Sequence, residues 1–224
     1  TLGAARDTQW AFRVGKYIGR ELRMLGIHLN YAPVVDLNVN PNNPIIGFRS
    51  FGENALLTSK LAEAYNRGME SEGVWGCAKH FPGHGDTGVD SHYDIPVLQH
   101  TRNRLDSLEL FPYKELISKG LQGIMVGHLS IPSLDSTASL ASTMSKPIVT
   151  GLLRDEMKFD GLVFTDAMDM KGATKMFPEG TANVKALLAG NDILETFVDV
   201  PAAFNAIKTA LDKNEITISD LDKR

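Results

Sequence analysis

Short apolar runs alternate with amphipathic stretches along the whole chain, and this alternation constrains the fold more than any other feature. Residues 8–25 place Ala11, Val14, Ile18, Leu22 and Leu25 at spacings of three and four, on one helix face. No cap is evident ahead of this helix, and Gly26 stops it. Residues 27–37 then read as a buried strand of aromatic and β-branched residues. Asn54 caps a second helix reaching about Glu72, with Leu57, Leu61, Ala64 and Met69 inward and Gly73 as its stop. Further strands are expected at 74–79, 123–126, 162–165 and 192–196. Helices are expected at 102–119, broken or kinked at Pro112, and near 146–157, 173–189 and 201–213.

Alternating strands and helices imply a parallel sheet with crossover helices. A doubly wound sheet and a (β/α)8 barrel both satisfy that pattern. No Gly-x-Gly-x-x-Gly follows a strand, which weighs against dinucleotide binding. Polar residues gather instead just after strand ends: Asp36, Lys79, His80, His128 and Asp166. Barrel active sites form at such ends. The expected fold is therefore α/β, a TIM-type barrel forming one catalytic domain over residues 1–224. The strands counted are fewer than a closed barrel needs, so the chain is expected to lack about three N-terminal βα units.

Charge narrows the partners. Lys plus Arg number 23 against 27 Asp plus Glu, for a net charge of −4, which leaves no basic excess to neutralise a nucleic-acid backbone. The apolar runs are too short to span a bilayer. Cys77 is the single cysteine, which excludes an internal disulfide and a zinc ribbon. It leaves both a cytoplasmic and an exported location open.

The densest segment runs from Lys79 to His92, Lys-His-Phe-Pro-Gly-His-Gly-Asp-Thr-Gly-Val-Asp-Ser-His, and holds three of the six histidines. Its glycines permit turns and close approach to a ligand. Histidine supplies a group that titrates near neutral pH. Asp90 and His92 flank Ser91, so a turn brings carboxylate to imidazole, orients the ring and offers the imidazolium a charge partner. His84 alone reads better as a residue that pins the loop. The same segment also offers metal donors in His80, His84, Asp86, Asp90 and His92, although Pro82 and Gly83 break any helical His-x-x-x-His spacing. Asp166 ends an apolar strand at Gly-Leu-Val-Phe-Thr-Asp, the place for a nucleophile on a rigid element. Asp169 reads as a first-turn helix carboxylate. Arg49, between Phe48 and Phe51, either binds a polar substrate or pairs with Glu53 or Asp36.

Together these segments resemble the N-terminal barrel of glycoside hydrolase family 3, over almost the whole chain. Lys79-His-Phe-Pro-Gly-His-Gly-Asp-Thr is similar to the family's signature, and Thr165-Asp166-Ala to its nucleophile segment. Asp90-Ser-His92 is similar to the bacterial β-N-acetylglucosaminidase branch. The resemblance implies a retaining hydrolysis of terminal β-linked N-acetylglucosamine, from peptidoglycan-derived or related oligosaccharides. Asp166 is then the nucleophile and His92, held by Asp90, the acid and base. Arg49, Lys79 and His80 hold the sugar, and no metal or organic cofactor is needed. It also allows for a second domain or a missing N-terminal segment in the full-length protein. A β-glucosidase or phosphorylase of the same family, a metal-dependent hydrolase and an inactive sugar-binding barrel stand as alternatives.

Overall fold

The computed structural model describes residues 2–195 and 199–222. They divide into two compact units, Thr1–Gly88 with His100–Met125 and Val89–Gln99 with Val126–Arg224.

The first unit opens with α1 (Leu2–Ala5) and α2 (Thr8–Met24). The second of these is capped after all: the Asp7 side chain accepts from the amide of Gln9 at 2.7 Å. Ala11 is fully buried, and Val14, Ile18 and Leu22 pack half-buried beside it. Leu25 departs from the expected face. It follows the last helical residue and is 76% exposed.

The strand expected over 27–37 is shorter, β1 (Leu29–Asn30). Pro33, whose peptide with Ala32 is cis, has no amide to donate, and pairing resumes beyond it as a parallel bridge from Val34 to Lys79. Helix α3 (Ala55–Glu70) has the expected cap, with Asn54 accepting from Leu57 N, and buries Leu61, Ala64 and Met69. Gly15 and Gly68 let α2 and α3 meet backbone to backbone. A Cβ at Gly15 would lie 2.0 Å from the Tyr65 carbonyl oxygen, and one at Gly68 2.2 Å from that of Phe12. Between and beneath them lies a core of Ala11, Leu61, Ala64, Tyr65, Met69 and Val74.

Strand β2 (Trp75–Phe81) runs parallel to β1, with Leu29 opposite Trp75 and Asn30 opposite Gly76. The expected 102–119 helix divides into α4 (Arg102–Ser107) and α5 (Phe111–Ser118), with Pro112 in the first turn of the latter. Strand β3 (Gly123–Val126) follows β2 in the sheet and is buried along its length. Cys77, free and fully buried, packs against Gly123 as a small core residue.

In the second unit a π-helix, Pro147–Glu156, stands at the expected position. Strand β4 (Leu162–Thr165) has its expected bounds, and beyond it Asp166 N donates to the Val126 carbonyl. The expected helix at 173–189 is two, α6 (Lys171–Thr174) and α7 (Glu179–Ala189), separated before Pro178. The strand expected at 192–196 is represented by a parallel bridge between Ile193 and Phe164, and its Thr196 lies outside the described residues. Helices α8 (Val200–Asp212) and α9 (Ile218–Leu221) complete the unit. Its core joins Ala141, Met144, Met168, Ala173, Ala182 and Ala186. The pairing is parallel throughout the described bridges, as the alternation of elements requires. Among the described residues no helix is long and apolar enough to cross a membrane.

Candidate active site

In the first unit the chemistry is organised by Asp36, which is 1% exposed. Its carboxylate accepts from the His84 amide at 2.7 Å, from the His80 amide at 3.1 Å and from His80 Nδ1 at 2.7 Å. Burial pushes this carboxyl up. The charges and hydrogen bonds of His80 and His84 outweigh that and hold it below the usual carboxylate range. A carboxylate only accepts, so Nδ1 of His80 carries the proton in this bond. That leaves Nε2 facing the Arg49 guanidinium at 3.4 Å, where arginine can only donate. Arg49 therefore meets His80, rather than the Glu53 or Asp36 pairing weighed from sequence. Lys79, half-buried, holds its ammonium 6.0 Å from the Tyr31 ring centroid. The Lys79–His80 and Phe81–Pro82 peptides are both cis.

The glycine-rich loop is packed rather than solvated. His84 is buried and donates through Nδ1 to Thr87 Oγ1 at 2.7 Å, while that hydroxyl donates to the His84 carbonyl. His84 thus pins the loop. Asn43 clamps it from outside, donating to the carbonyls of His84 and Gly85 and accepting from the amides of Ile45 and Ile46. A Cβ on Gly85 would sit 1.8 Å from the Leu37 carbonyl oxygen, so only glycine fits there. Gly83, at φ +135°, rests on the side chain of Glu109.

Glu109 belongs to an ionic cluster under this loop. His100 Nε2 lies 2.8 Å from Asp86, and Arg104 lies 3.0 Å from Glu109 and 3.7 Å from Asp86. Burial raises the Glu109 carboxyl, the nearby Arg104 and His100 only partly offsetting it. Asp86, His100 and Glu109 form the one group of three metal-type donors close enough to share an ion among the described residues. Arg104 already supplies a fixed cation there. Of the donors suggested by sequence only Asp86 belongs to this group, because His80, His84 and His92 are engaged by Asp36, Thr87 and Asp90.

The second unit carries the other predicted residues. Asp90 Oδ1 accepts from both the amide and Nδ1 of His92 at 2.7 Å, which closes the dyad within a single turn. His92 is exposed, Asp90 half-buried and Ser91 buried. The loop is continued by a parallel bridge from Val97 to Ser130. Asp166 follows β4 directly and accepts from the Ala167 amide at 2.9 Å. Behind this turn His128 is wholly buried, with Nδ1 2.9 Å from Thr143 Oγ1 and Nε2 2.9 Å from the Ala167 carbonyl. Asp169 is exposed and precedes α6, whose N-cap is Met170, so it is not the first-turn carboxylate expected.

Sequence reasoning missed the joining of Asp36 to His80, the Asn43 clamp and the seat of His128. The asparagines around Pro41 were the visible signal for the clamp.

The chain matches the family model for the glycosyl hydrolase family 3 N terminal domain over residues 1–224. It is 42% identical over 206 residues to beta-hexosaminidase A of Pseudoalteromonas piscicida, covering 86% of this chain and 34% of that protein. It superposes with a TM-score of 0.96 and 41% identity on a family 3 beta-N-acetylglucosaminidase from Paenibacillus sp. str. FPU-7, covering 99% of this chain and 43% of that one. The beta-glucoside phosphorylase BglX gives a TM-score of 0.96 at 28% identity, covering 99% of this chain and 41% of that one. The chain thus spans from about a third to under half the length of these relatives. Signature loop, strand-end aspartate and full-length match agree: the chain belongs to glycosyl hydrolase family 3, to its N-terminal domain.

Proposed function

We propose that the protein carrying this chain is a retaining glycoside hydrolase that releases terminal β-linked N-acetylglucosamine. The observation that carries the reading is the closed Asp90–His92 dyad, in the same unit as a strand-end Asp166. Asp166 attacks the anomeric carbon as the C–O bond to the leaving group breaks. His92, protonated, gives its Nε2 proton to the departing oxygen. The same nitrogen, now neutral, takes a proton from water as water displaces Asp166 from the glycosyl-enzyme. Asp90 holds Nδ1 throughout and so leaves Nε2 as the exchanging atom. A neutral histidine does not repel the nucleophilic carboxylate as a second anion would. Arg49, Lys79 and His80 are proposed to hydrogen-bond sugar hydroxyls or the N-acetyl group, His80 as an acceptor through Nε2 with its ring fixed by Asp36.

The test uses the intact protein on aryl β-N-acetylglucosaminides of graded leaving-group pKa, with the matching β-glucosides at equal concentration. Asp166→Ala is expected to depress every substrate. His92→Ala is expected to cost roughly 10²–10⁴-fold on poor leaving groups and to spare glycosylation by good ones, so that the glycosyl-enzyme accumulates and shows as a mass shift. Equal loss on both, with no intermediate, refutes the acid–base assignment. A preference for glucosides refutes the branch. The likeness to BglX favours a second reading, since a neutral histidine also tolerates phosphate as the acceptor. Glycosyl phosphate formed in phosphate buffer would establish it.

A further inference from the structure

We infer that α6 is the seat of the loop bearing Asp90 and His92, and that Gly172 is a positioning residue whose missing side chain sets where that loop lies. The inference rests on the proposed role of His92. The Gly172 amide donates to the Ser91 carbonyl at 3.1 Å, and the Lys171 amide reaches the His92 carbonyl at 3.4 Å. At the C-cap of α6, Lys175 Nζ lies 2.6 Å from Asp94 Oδ1. Three points of the loop, Ser91, His92 and Asp94, are thus tied to α6 and its C-cap, a few residues beyond Asp166.

The fit at Gly172 leaves no slack. A Cβ there would stand 2.8 Å from His128 Cβ, 2.9 Å from the Ser91 carbonyl oxygen and 3.6 Å from that of Asp94. His128 cannot retreat. The Ala167 carbonyl can only accept, so His128 Nε2 carries the proton, and Nδ1 accepts a hydrogen bond from the Thr143 hydroxyl. The ring is held at both nitrogens against the turn that carries Asp166. Gly172 has no left-handed backbone to explain its lack of a side chain, so close approach is the reason. A side chain added at this position displaces the loop from His128, and with it His92 relative to Asp166. The Asp90–His92 bond is internal to the loop and travels with it.

The experiment compares Gly172→Ala, Lys175→Ala and Lys175→Arg with the wild type in the intact protein. Two readouts are taken: the ratio of kcat on activated and unactivated N-acetylglucosaminides, and amide hydrogen exchange of residues 89–99. Gly172→Ala is expected to lower kcat on unactivated substrates by about 10–10²-fold, the scale of a sub-ångström to ångström misplacement, with KM little changed and exchange in 89–99 accelerated. Lys175→Ala, an exposed change with no bearing on folding, should give a smaller effect of the same pattern, and Lys175→Arg should restore it. Unchanged exchange in 89–99 for both Gly172→Ala and Lys175→Ala overturns the seat. Accelerated exchange with equal losses on both substrate classes overturns the positioning role. A wild type without glycosidase activity would refute the proposed function instead, while the exchange data would still judge the seat.

Discussion

Replacing Asp36 tests the organisation of the first unit most directly. Its carboxylate accepts from three donors, the amides of His80 and His84 and the Nδ1 of His80, at 2.7–3.1 Å. Asp36→Ala removes this acceptor from all three. Each buried donor that loses this acceptor costs roughly 1–3 kcal/mol. The sum overshoots, because the loop relaxes, so about 3–5 kcal/mol is expected at neutral pH. Asp36→Asn keeps one acceptor oxygen and should lose about 1–3 kcal/mol. The pH dependence has a definite sign. The folded carboxyl titrates below its usual value, and in the unfolded chain it titrates near about 3.9. Its stabilisation is therefore complete well above pH 4, and it is lost as pH falls through the lowered folded value. Urea unfolding of wild type and Asp36→Asn at pH 7, 5 and 3 should show a constant gap between the first two and a narrower one at the last. A gap for Asp36→Ala below 1 kcal/mol at pH 7, or one that widens in acid, refutes the reasoning.

Three other outcomes follow from the geometry. Asp90→Ala should act as a weaker His92→Ala, with a loss on poor leaving groups short of about 10²–10⁴-fold, because the imidazole remains but is no longer aimed; leaving-group kinetics check it. Gly85→Ala drives a Cβ into the backbone carbonyl of Leu37, so thermal denaturation should show at least about 1–3 kcal/mol of destabilisation, whereas Gly88→Ala, which meets nothing within 4 Å, should be near neutral. Dialysis against a chelator should leave hydrolysis unchanged, since Arg104 already serves as the cation among Asp86, His100 and Glu109; inhibition restored by a divalent metal would contradict this.

Legibility from sequence followed the range of the interactions involved. Strands β3 and β4 were readable to the residue because each is a short apolar run bounded by turn residues, and a buried parallel strand needs little else. The cap of α3 was readable because Asn54 acts on an amide in its own next turn. The first strand was not, because the apolar content of 27–37 says nothing about Pro33 interrupting the ladder. At the site, the Asp90–His92 pair is local and was legible from spacing. The Asp36–His80 pair joins residues 44 apart, and no pattern along the chain announces it. The metal alternative arose from counting donors in a segment. The structure instead pairs each histidine of that segment with a neighbour, His80 with Asp36, His84 with Thr87 and His92 with Asp90.

The two chemical groups proposed for the reaction are mounted in opposite ways, and the reaction explains why. A nucleophile forms a bond to carbon, and its rate falls steeply with misplacement, so Asp166 sits at the end of a buried strand with its own turn braced by His128. An acid–base group transfers a proton to leaving groups of differing size and later to water, and must be reachable by both. His92 is accordingly exposed, with a side chain 58% accessible. Exposure alone would leave the ring free to rotate, and the Asp90 contact removes that freedom within two residues of chain. Ring orientation is thus secured inside the loop, and loop position is secured by α6. The two are separable. Changes at Asp90 should alter the proton transfer with the loop in place, whereas changes at Gly172 should move an intact dyad. Both penalise poor leaving groups, but Asp90→Ala frees only the His92 amide that Oδ1 held, whereas Gly172→Ala loosens amides throughout residues 89–99, and that difference tells orientation from position.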